Sequence, residues 1–581
     1  MTHEFRVWAP LPQRVEIVLG EQRIPMRRTD GGWWACSAGQ AGPGTDYAYG
    51  LDGGPPRPDP RSASQPRGIH GPSRVVDHSA FGWTDRGWRG VPLAGSVIYE
   101  CHVGTFSEQG TFEGVIGHLG HLVDLGVDII ELLPVAEFPG RRGWGYDGVD
   151  LFAPHHAYGG PDGLKRLIDA AHAHGLGVLL DVVYNHLGPT GNYLPEFGPY
   201  FSARHQTNWG DAVNFDGPGS DEVRRFVIDN ALMWLRDYHV DGLRLDAVHA
   251  IVDDSATHII EALAVEVDAL AAHAGRPLFL IAESDLNDPR FVRSRDAGGY
   301  GLAASWADEW HHALHAVLTG DVSGYYADFG PLGLLAKALR QAWVYDGTYS
   351  PYRQRVHGRP PVGLTGSQFV VAAQNHDQVG NRAAGERGTA LMSDGRLRVA
   401  AALLLTSPFV PMLFQGEEWG ACTPFQYFTD HEDAALGRIV SEGRRHEFAT
   451  FGWDPADVPD PQDAATFERS RLDWAELRKE QHAGLLAWHR RLIALRRQVP
   501  ALTDPRLDRV YTEYDQDVGW IVVRRGPVIV AGNLGRNTWT FPADPSAELL
   551  AASAPGVERT RQGLALPPDT VAILTGGFNR I

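Results

Sequence analysis

The sequence is poor in the features that would tie it to a membrane, an oxidising compartment or a nucleic acid. It begins MTHEFRVWAP, with no basic start leading into an apolar stretch, so no secretory signal is visible. Its greasiest stretch, residues 399–414, is interrupted by Thr406, Ser407, Pro408 and Pro411. No run reaches the roughly 20 apolar residues that a bilayer span requires. Cysteine is limited to Cys36, Cys101 and Cys422, an odd number with no CxxC pair and no His–Cys cluster, which argues against a disulfide framework and a structural zinc site. Positive charge is short as well. The 52 Lys and Arg face 71 Asp and Glu, a net charge of −19, and such a surface repels phosphate backbones and anionic lipids. No GxGxxG turn follows the first strand-like run of the central zone, and no repeat or low-complexity tract appears. The expectation is a soluble, cytoplasmic chain with no nucleic-acid or membrane partner. A neutral ligand would be indifferent to the acidic field.

What is present is ample material for a large core: 581 residues, 43% apolar, with 17 Trp. Three zones emerge. Residues 1–95 carry short alternating runs (FRVWAP, RVEIVL, DYAYGL) between Gly, Pro and Asp turns, as in an antiparallel sandwich, followed from residue 52 by a turn-rich stretch read as a surface linker. Residues 96–500 alternate apolar strand candidates with helical patterns. The candidates are 97–102, 127–134, 177–184, 242–247, 278–283, 303–306, 369–374 and 409–414. Strands alternating with helices imply a parallel sheet, and eight units imply a closed (β/α)₈ TIM barrel, an α/β fold. Residues 501–581 return to alternation (RVYTEY, GWIVVRR, PVIVAGN, NTWTF, VAILTG), giving a C-terminal antiparallel β domain.

In such a barrel the active site lies at the C-terminal ends of the strands. Four of those ends carry polar side chains: Asp181, Asn185 and His186 after the third, Arg244, Asp246 and His249 around the fourth, Glu283 after the fifth, and His376, Asp377 and Gln378 after the seventh. Glycoside cleavage needs one carboxylate as nucleophile and one carboxylic acid to protonate the leaving oxygen. Arg244, two residues before Asp246, shares its strand face and should keep it ionised. Glu283 ends an apolar run, which should raise its pKa and hold its proton. Asp377 supplies a third carboxylate for sugar hydroxyls and developing positive charge. Asp181 reads equally as a strand-end ion-pair partner and as a functional group.

The stretches DVVYNH, GLRLDAVH, IAES and QNHDQ, in this order and on these strands, resemble the four signature stretches of the alpha-amylase superfamily of glycoside hydrolases. The resemblance implies hydrolysis with retention, Asp246 as nucleophile, Glu283 as acid/base and Asp377 as transition-state stabiliser. It further implies that His186, His376 and Tyr146, the last in GWGYDGVDLFAP, hold the sugar in the cleaved subsite. The short segment 187–219 lacks the acidic, calcium-cage look of many secreted amylases. Asn185 matches a calcium ligand there, but no metal and no cofactor are expected.

The N-terminal module resembles the one preceding the barrel in branching, debranching and trehalose-releasing members of that superfamily. The segments 304–329, 374–387 and 423–431 resemble the trehalose-releasing members alone. This resemblance implies maltooligosyltrehalose as substrate, cleaved at the α-1,4 bond next to its trehalose end. Trehalose recognition then falls to Asp308, Glu309, Trp310, His311 and His312 past the sixth strand, with Asn381 and Gln378 after Asp377. The competing reading of that cluster is a solvated turn with Asp308 as a helix N-cap. A glucan branching enzyme is the alternative for the whole chain. A non-catalytic glucan-binding protein would have lost one of the three carboxylates.

Overall fold

The computed structural model describes residues 3–449, 453–454 and 457–576. Eight parallel strands close into a barrel: β1 (Ile98–Cys101), β2 (Ile129–Leu132), β3 (Gly177–Val182), β4 (Gly242–Leu245), β5 (Phe279–Ala282), β6 (Ala304–Trp306), β7 (Phe369–Ala372) and β8 (Val410–Phe414), with β8 pairing back onto β1. Each strand lies within the apolar run that announced it, because a strand buried on both faces needs continuous apolar residues.

Period-2 alternation decides what enters the barrel. Ile98, Ile129, Leu179, Phe279, Ile281, Ala304, Val370, Val410 and Met412 fill its interior with Trp306. Gly242 makes room for this packing: a Cβ there would stand 2.5 Å from the Phe279 ring. Two residues nearer the mouth on the same faces stand Glu100, Asp181 and Arg244, and beyond them Asp246, Glu283 and Asp308. The apolar filling ends where these polar side chains begin. Arg244 pairs in register with Asp181 on one neighbour and Ile281 on the other.

Two hairpins not foreseen from the sequence rise beside the mouth. Ala136–Glu137 pairs with Asp150–Pro154 and carries Tyr146 in its connection. Phe201–Thr207 pairs with Gly210–Val213 and carries the exposed Trp209 at its turn. Two antiparallel sheets precede the barrel, and a five-stranded and a three-stranded sheet follow it, matching the anticipated all-β flanks.

The stretch after residue 52 is not a surface linker. Pro56–Arg57 and Ser73–Arg74 pair with Asp46–Leu51, and Asp59, Ser62, Gln65 and Ser73 are buried. Turn-rich composition specified irregular backbone, and polar side chains bonded to one another could then be buried: Tyr47 Oη donates to Asp59 at 2.7 Å, and Ser62 Oγ to Gln65 at 2.8 Å. The stretch ends on Asp241, which is fully buried just before β4. Asp241 accepts from Trp88 Nε1 (2.8 Å), His172 Nε2 (3.0 Å), Arg276 Nη1 (2.5 Å) and the Val178 N–H (2.9 Å). Removing this carboxylate takes the ion-pair partner from the half-buried Arg276, which keeps three backbone carbonyls, and an acceptor from His172, whose pKa it helps to hold up. Asp241→Ala should therefore cost about 3–5 kcal/mol in chemical denaturation, and a loss under about 1 kcal/mol would contradict the assigned role.

Candidate active site

Arg244 organises the mouth. Its side chain is fully buried, with the Trp306 ring 4.3 Å from its guanidinium carbon. Nη1 donates to Asp181 (2.6 Å) and Asp246 (2.9 Å), and Nη2 stands 3.6 Å from Glu283. One fixed charge thus touches three carboxylates.

The two outer carboxylates are held differently. Asp246 accepts from Arg244 on Oδ1 and from Asn185 Nδ2 on Oδ2 at 2.7 Å. Glu283 receives one short bond, from the Ala247 N–H at 2.6 Å. Ala247 sits in the left-handed region (φ 40°), a costly conformation for a residue with a Cβ, and the turn aims its N–H at Glu283. Burial raises the Glu283 pKa most, Arg244 opposes it, and Asp246, Asp308 and Asp377 add to it, leaving it at about 8. At neutral pH Glu283 therefore keeps its proton.

A second network crosses the mouth. His376 Nδ1 lies 2.5 Å from Glu100 and Nε2 lies 2.8 Å from Tyr146 Oη, which donates to Asp181 at 2.6 Å. Burial opposes the His376 charge, but Asp377 and Glu100 outweigh it and raise its pKa to about 9, so both ring nitrogens donate. The His376 and Tyr146 rings are near parallel, 5.4 Å apart. His186 Nε2 meets the Tyr146 carbonyl at 3.0 Å, and its ring stacks on Trp209. Asp377 is the most open of the carboxylates and accepts from Asn381 Nδ2 at 3.2 Å.

Asp246, Glu283, Asp377, Arg244, Tyr146, His186, His376 and Asn381 therefore converge. Asp308 stands close enough for its charge to act on Glu283, while burial and Asp377 raise its own pKa to about 7. It is not an N-cap: it is the first residue of the helix Asp308–Thr319, and Ala307 holds the cap position. The rest of that cluster is scattered by the helix. Trp310 is fully buried in the core. Glu309 turns inward to accept the N–H groups of Val344 and Tyr345. His311 is tied to the Ala373 carbonyl and Tyr326 Oη, and Gln378 Oε1 faces the same tyrosine at 3.4 Å. These four are corrected from ligand contacts to supporting groups, since consecutive helical residues point about 100° apart and cannot share one face. His312 is half-buried against Tyr325, Tyr326 and Phe329. His249 is half-buried in the turn after β4, its Nδ1 without a partner.

Glu100, Trp306 and Trp209 were missed. Glu100 and Trp306 lie inside recognised strands and were passed over as filling. Trp209 depends on a hairpin that Gly and polar residues do not announce.

The alpha amylase catalytic-domain model matches residues 76–208, and a domain of unknown function, DUF3459, matches residues 505–573. Over 535 residues the chain is 55% identical to the malto-oligosyltrehalose trehalohydrolase of Arthrobacter ramosus, covering 91% of this chain and 92% of that one. The chain belongs to the malto-oligosyltrehalose trehalohydrolase family. A solved structure of a putative alpha amylase from Salmonella typhimurium superposes with a TM-score of 0.91 at 39% identity, covering 99% and 98% of the two chains. A 1,4-alpha-glucan branching enzyme from Rubrobacter xylanophilus is more remote, 32% identical over 356 residues and matching 53% of this chain and 48% of its own.

The pKa of Glu283 can be read directly. In a difference infrared titration of the parent protein against Glu283→Gln, a protonated-carboxyl band should persist at pH 7 and vanish around pH 8. Disappearance near pH 4–5, the ordinary glutamate range, would contradict the burial argument.

Proposed function

We infer that the protein hydrolyses the α-1,4-glucosidic bond adjacent to the trehalose end of maltooligosyltrehalose, with retention, releasing trehalose. The observation that carries the chemistry is the unequal pair at Arg244: Asp246 held between two donors, Glu283 protonated beside it. The family supports the substrate.

Asp246 attacks the anomeric carbon of the glucosyl residue next to trehalose. As the bond from that carbon to the leaving oxygen breaks, the oxygen takes the proton of Glu283, and trehalose departs. The covalent glucosyl ester on Asp246 is then cleaved by water, whose proton returns to Glu283 as the water attacks the anomeric carbon. Asp377, oriented by Asn381, accepts from sugar hydroxyls and stabilises the positive charge that develops in both steps. His376, charged through Glu100, and His186 border the same sugar and fix Tyr146, on which its apolar face rests.

Trehalose turns at its α,α-1,1 linkage, and a site built to hydrogen-bond it rejects a 1,4-linked glucan by leaving its own buried groups unpaired. Asp308, at the end of β6, and His312, one turn along the same helix, supply such groups. The acidic surface suits a neutral glucan and disfavours nucleic acid and membrane, and no helix among the described residues is long and apolar enough to cross a bilayer. We place the reaction in the cytoplasm, in trehalose biosynthesis.

Incubation with maltotriosyltrehalose and, separately, maltopentaose tests this reading. The first should release trehalose rapidly and the second turn over slowly. New α-1,6 branches would identify a branching enzyme instead. Asp308→Ala should lower kcat/KM for maltotriosyltrehalose about ten- to a hundredfold, as loss of a buried polar contact worth about 1–3 kcal/mol requires, while maltopentaose is affected less. Equal losses on both substrates would refute the trehalose-side role of Asp308.

A further inference from the structure

Outside the mouth, the fold brings a cysteine together with two metal-ligating side chains that follow it 54 and 60 residues later in the sequence. Cys422 follows the 3-10 turn Glu417–Trp419 at the end of β8, Glu476 lies in the turn Trp474–Arg478, and His482 lies in the first turn of the helix Glu480–Gln498. One ligand atom of each falls within 4.8 Å of the others. Thiol, carboxylate and imidazole are three chemically different donors, which separates this cluster from a merely acidic patch.

Two independent features point to a cation. Glu476 is only 5% exposed and, among the described residues, no Arg, Lys or His side chain forms an ion pair with it. Its carboxylate accepts the Cys422 N–H at 3.3 and 3.2 Å on its two oxygens and Trp419 Nε1 at 3.3 Å, and the Cys422 thiol also bonds it. The Arg387 guanidinium, whose charge is felt here, is engaged by the carbonyls of Thr423 and Gln415. A buried carboxylate bonded by neutral donors gains from a counter-charge. The second feature is His482, which is 3% exposed, with Nδ1 2.8 Å from the Trp419 carbonyl. A carbonyl only accepts, so Nδ1 donates and Nε2 is the atom left to bond a metal. That backbone contact is the kind that orients a histidine for a metal. Among the described residues, the group at Nε2 is the amide of Gln481, an exposed side chain 3.1 Å away.

We propose that Cys422, Glu476 and His482 form a binding site for a soft divalent cation of the zinc class, with solvent in the fourth position. Cys422 is exposed and gives the ion its entry. On binding, the thiol proton passes to solvent and sulfur bonds the metal. Thiolate and carboxylate together then neutralise the 2+ charge, and the imidazole remains neutral. The site clamps the start of the segment 423–431 to the helix that closes the barrel. Gln426 in that segment accepts from Trp144 Nε1 at 2.9 Å, and Trp144 packs edge-on to His376. The ion is therefore a clamp behind the candidate active site and not a participant in hydrolysis.

The test is a titration of the metal-stripped full-length protein with zinc and, in parallel, cobalt(II), against Cys422→Ala. That substitution alters an exposed position and leaves the fold intact. One equivalent of zinc should bind, cobalt should give a sulfur-to-metal charge-transfer absorption, and zinc should slow alkylation of the Cys422 peptide. Cys422→Ala should abolish the absorption and weaken zinc binding by more than about tenfold, since even loss of an outer partner costs 10- to 100-fold. Absence of zinc binding, binding unchanged in Cys422→Ala, or a cobalt complex without the thiolate band would overturn the proposal.

Discussion

A single guanidinium sealed beneath three carboxylates sets the character of this active-site candidate. Arg244 is inaccessible to water, lies against Trp306, and reaches Asp181, Asp246 and Glu283. It cannot lose its proton in the face of those carboxylates, which hold its pKa well above the ordinary value. One positive charge does not neutralise three negative ones in a buried site, so the carboxyl groups compete for it. Asp246 and Asp181 take its short bonds, at 2.9 and 2.6 Å. Glu283 stands 3.6 Å from the charge and keeps its proton. The division of roles therefore follows first from the burial of Glu283, and then from the shorter reach of Arg244 to Asp246 than to Glu283.

The surrounding groups depend on the same balance. Asp181 is free to hold Tyr146 because Arg244 holds Asp181, and Tyr146 fixes His376, whose charge is maintained from behind by Glu100. Donors aimed at a sugar are in this way preorganised by bonds that run from strand to strand across the barrel. Preorganised donors need no rearrangement when charge develops on the substrate. The strain at Ala247 belongs here: the backbone leaves its preferred region immediately after Asp246 and presents its N–H to Glu283.

The barrel was legible because a doubly buried parallel strand leaves an uninterrupted apolar run, and because polar residues closing such runs can point only toward the mouth. Asp246, Glu283, Asp377, Arg244 and His376 were found by that rule. It failed where an inward polar residue sits within a strand, as with Glu100, and where position depends on a helix. Asp308 to His312 are contiguous in sequence, yet the turn of the helix sends Trp310 into the core and Glu309 to backbone amides. It failed again for the stretch after residue 52, whose Pro, Gly and Ser content suggested exposure although its polar groups satisfy one another in the interior. Cys422, Glu476 and His482 show the same limit, since no spacing rule links ligands drawn from three separate turns.

The central claim, that Arg244 divides the carboxyl groups into an ionised nucleophile at Asp246 and a protonated acid at Glu283, is tested most directly by trapping the covalent intermediate. The Glu283→Gln variant, with its acid/base removed, should accumulate a glycosyl-enzyme from a fluorinated α-glucosyl fluoride, whose leaving group needs no protonation. Peptide mapping by mass spectrometry should place the sugar on Asp246. A label on Asp377 or Asp181, or a β-configured first product from the parent protein, would contradict the account.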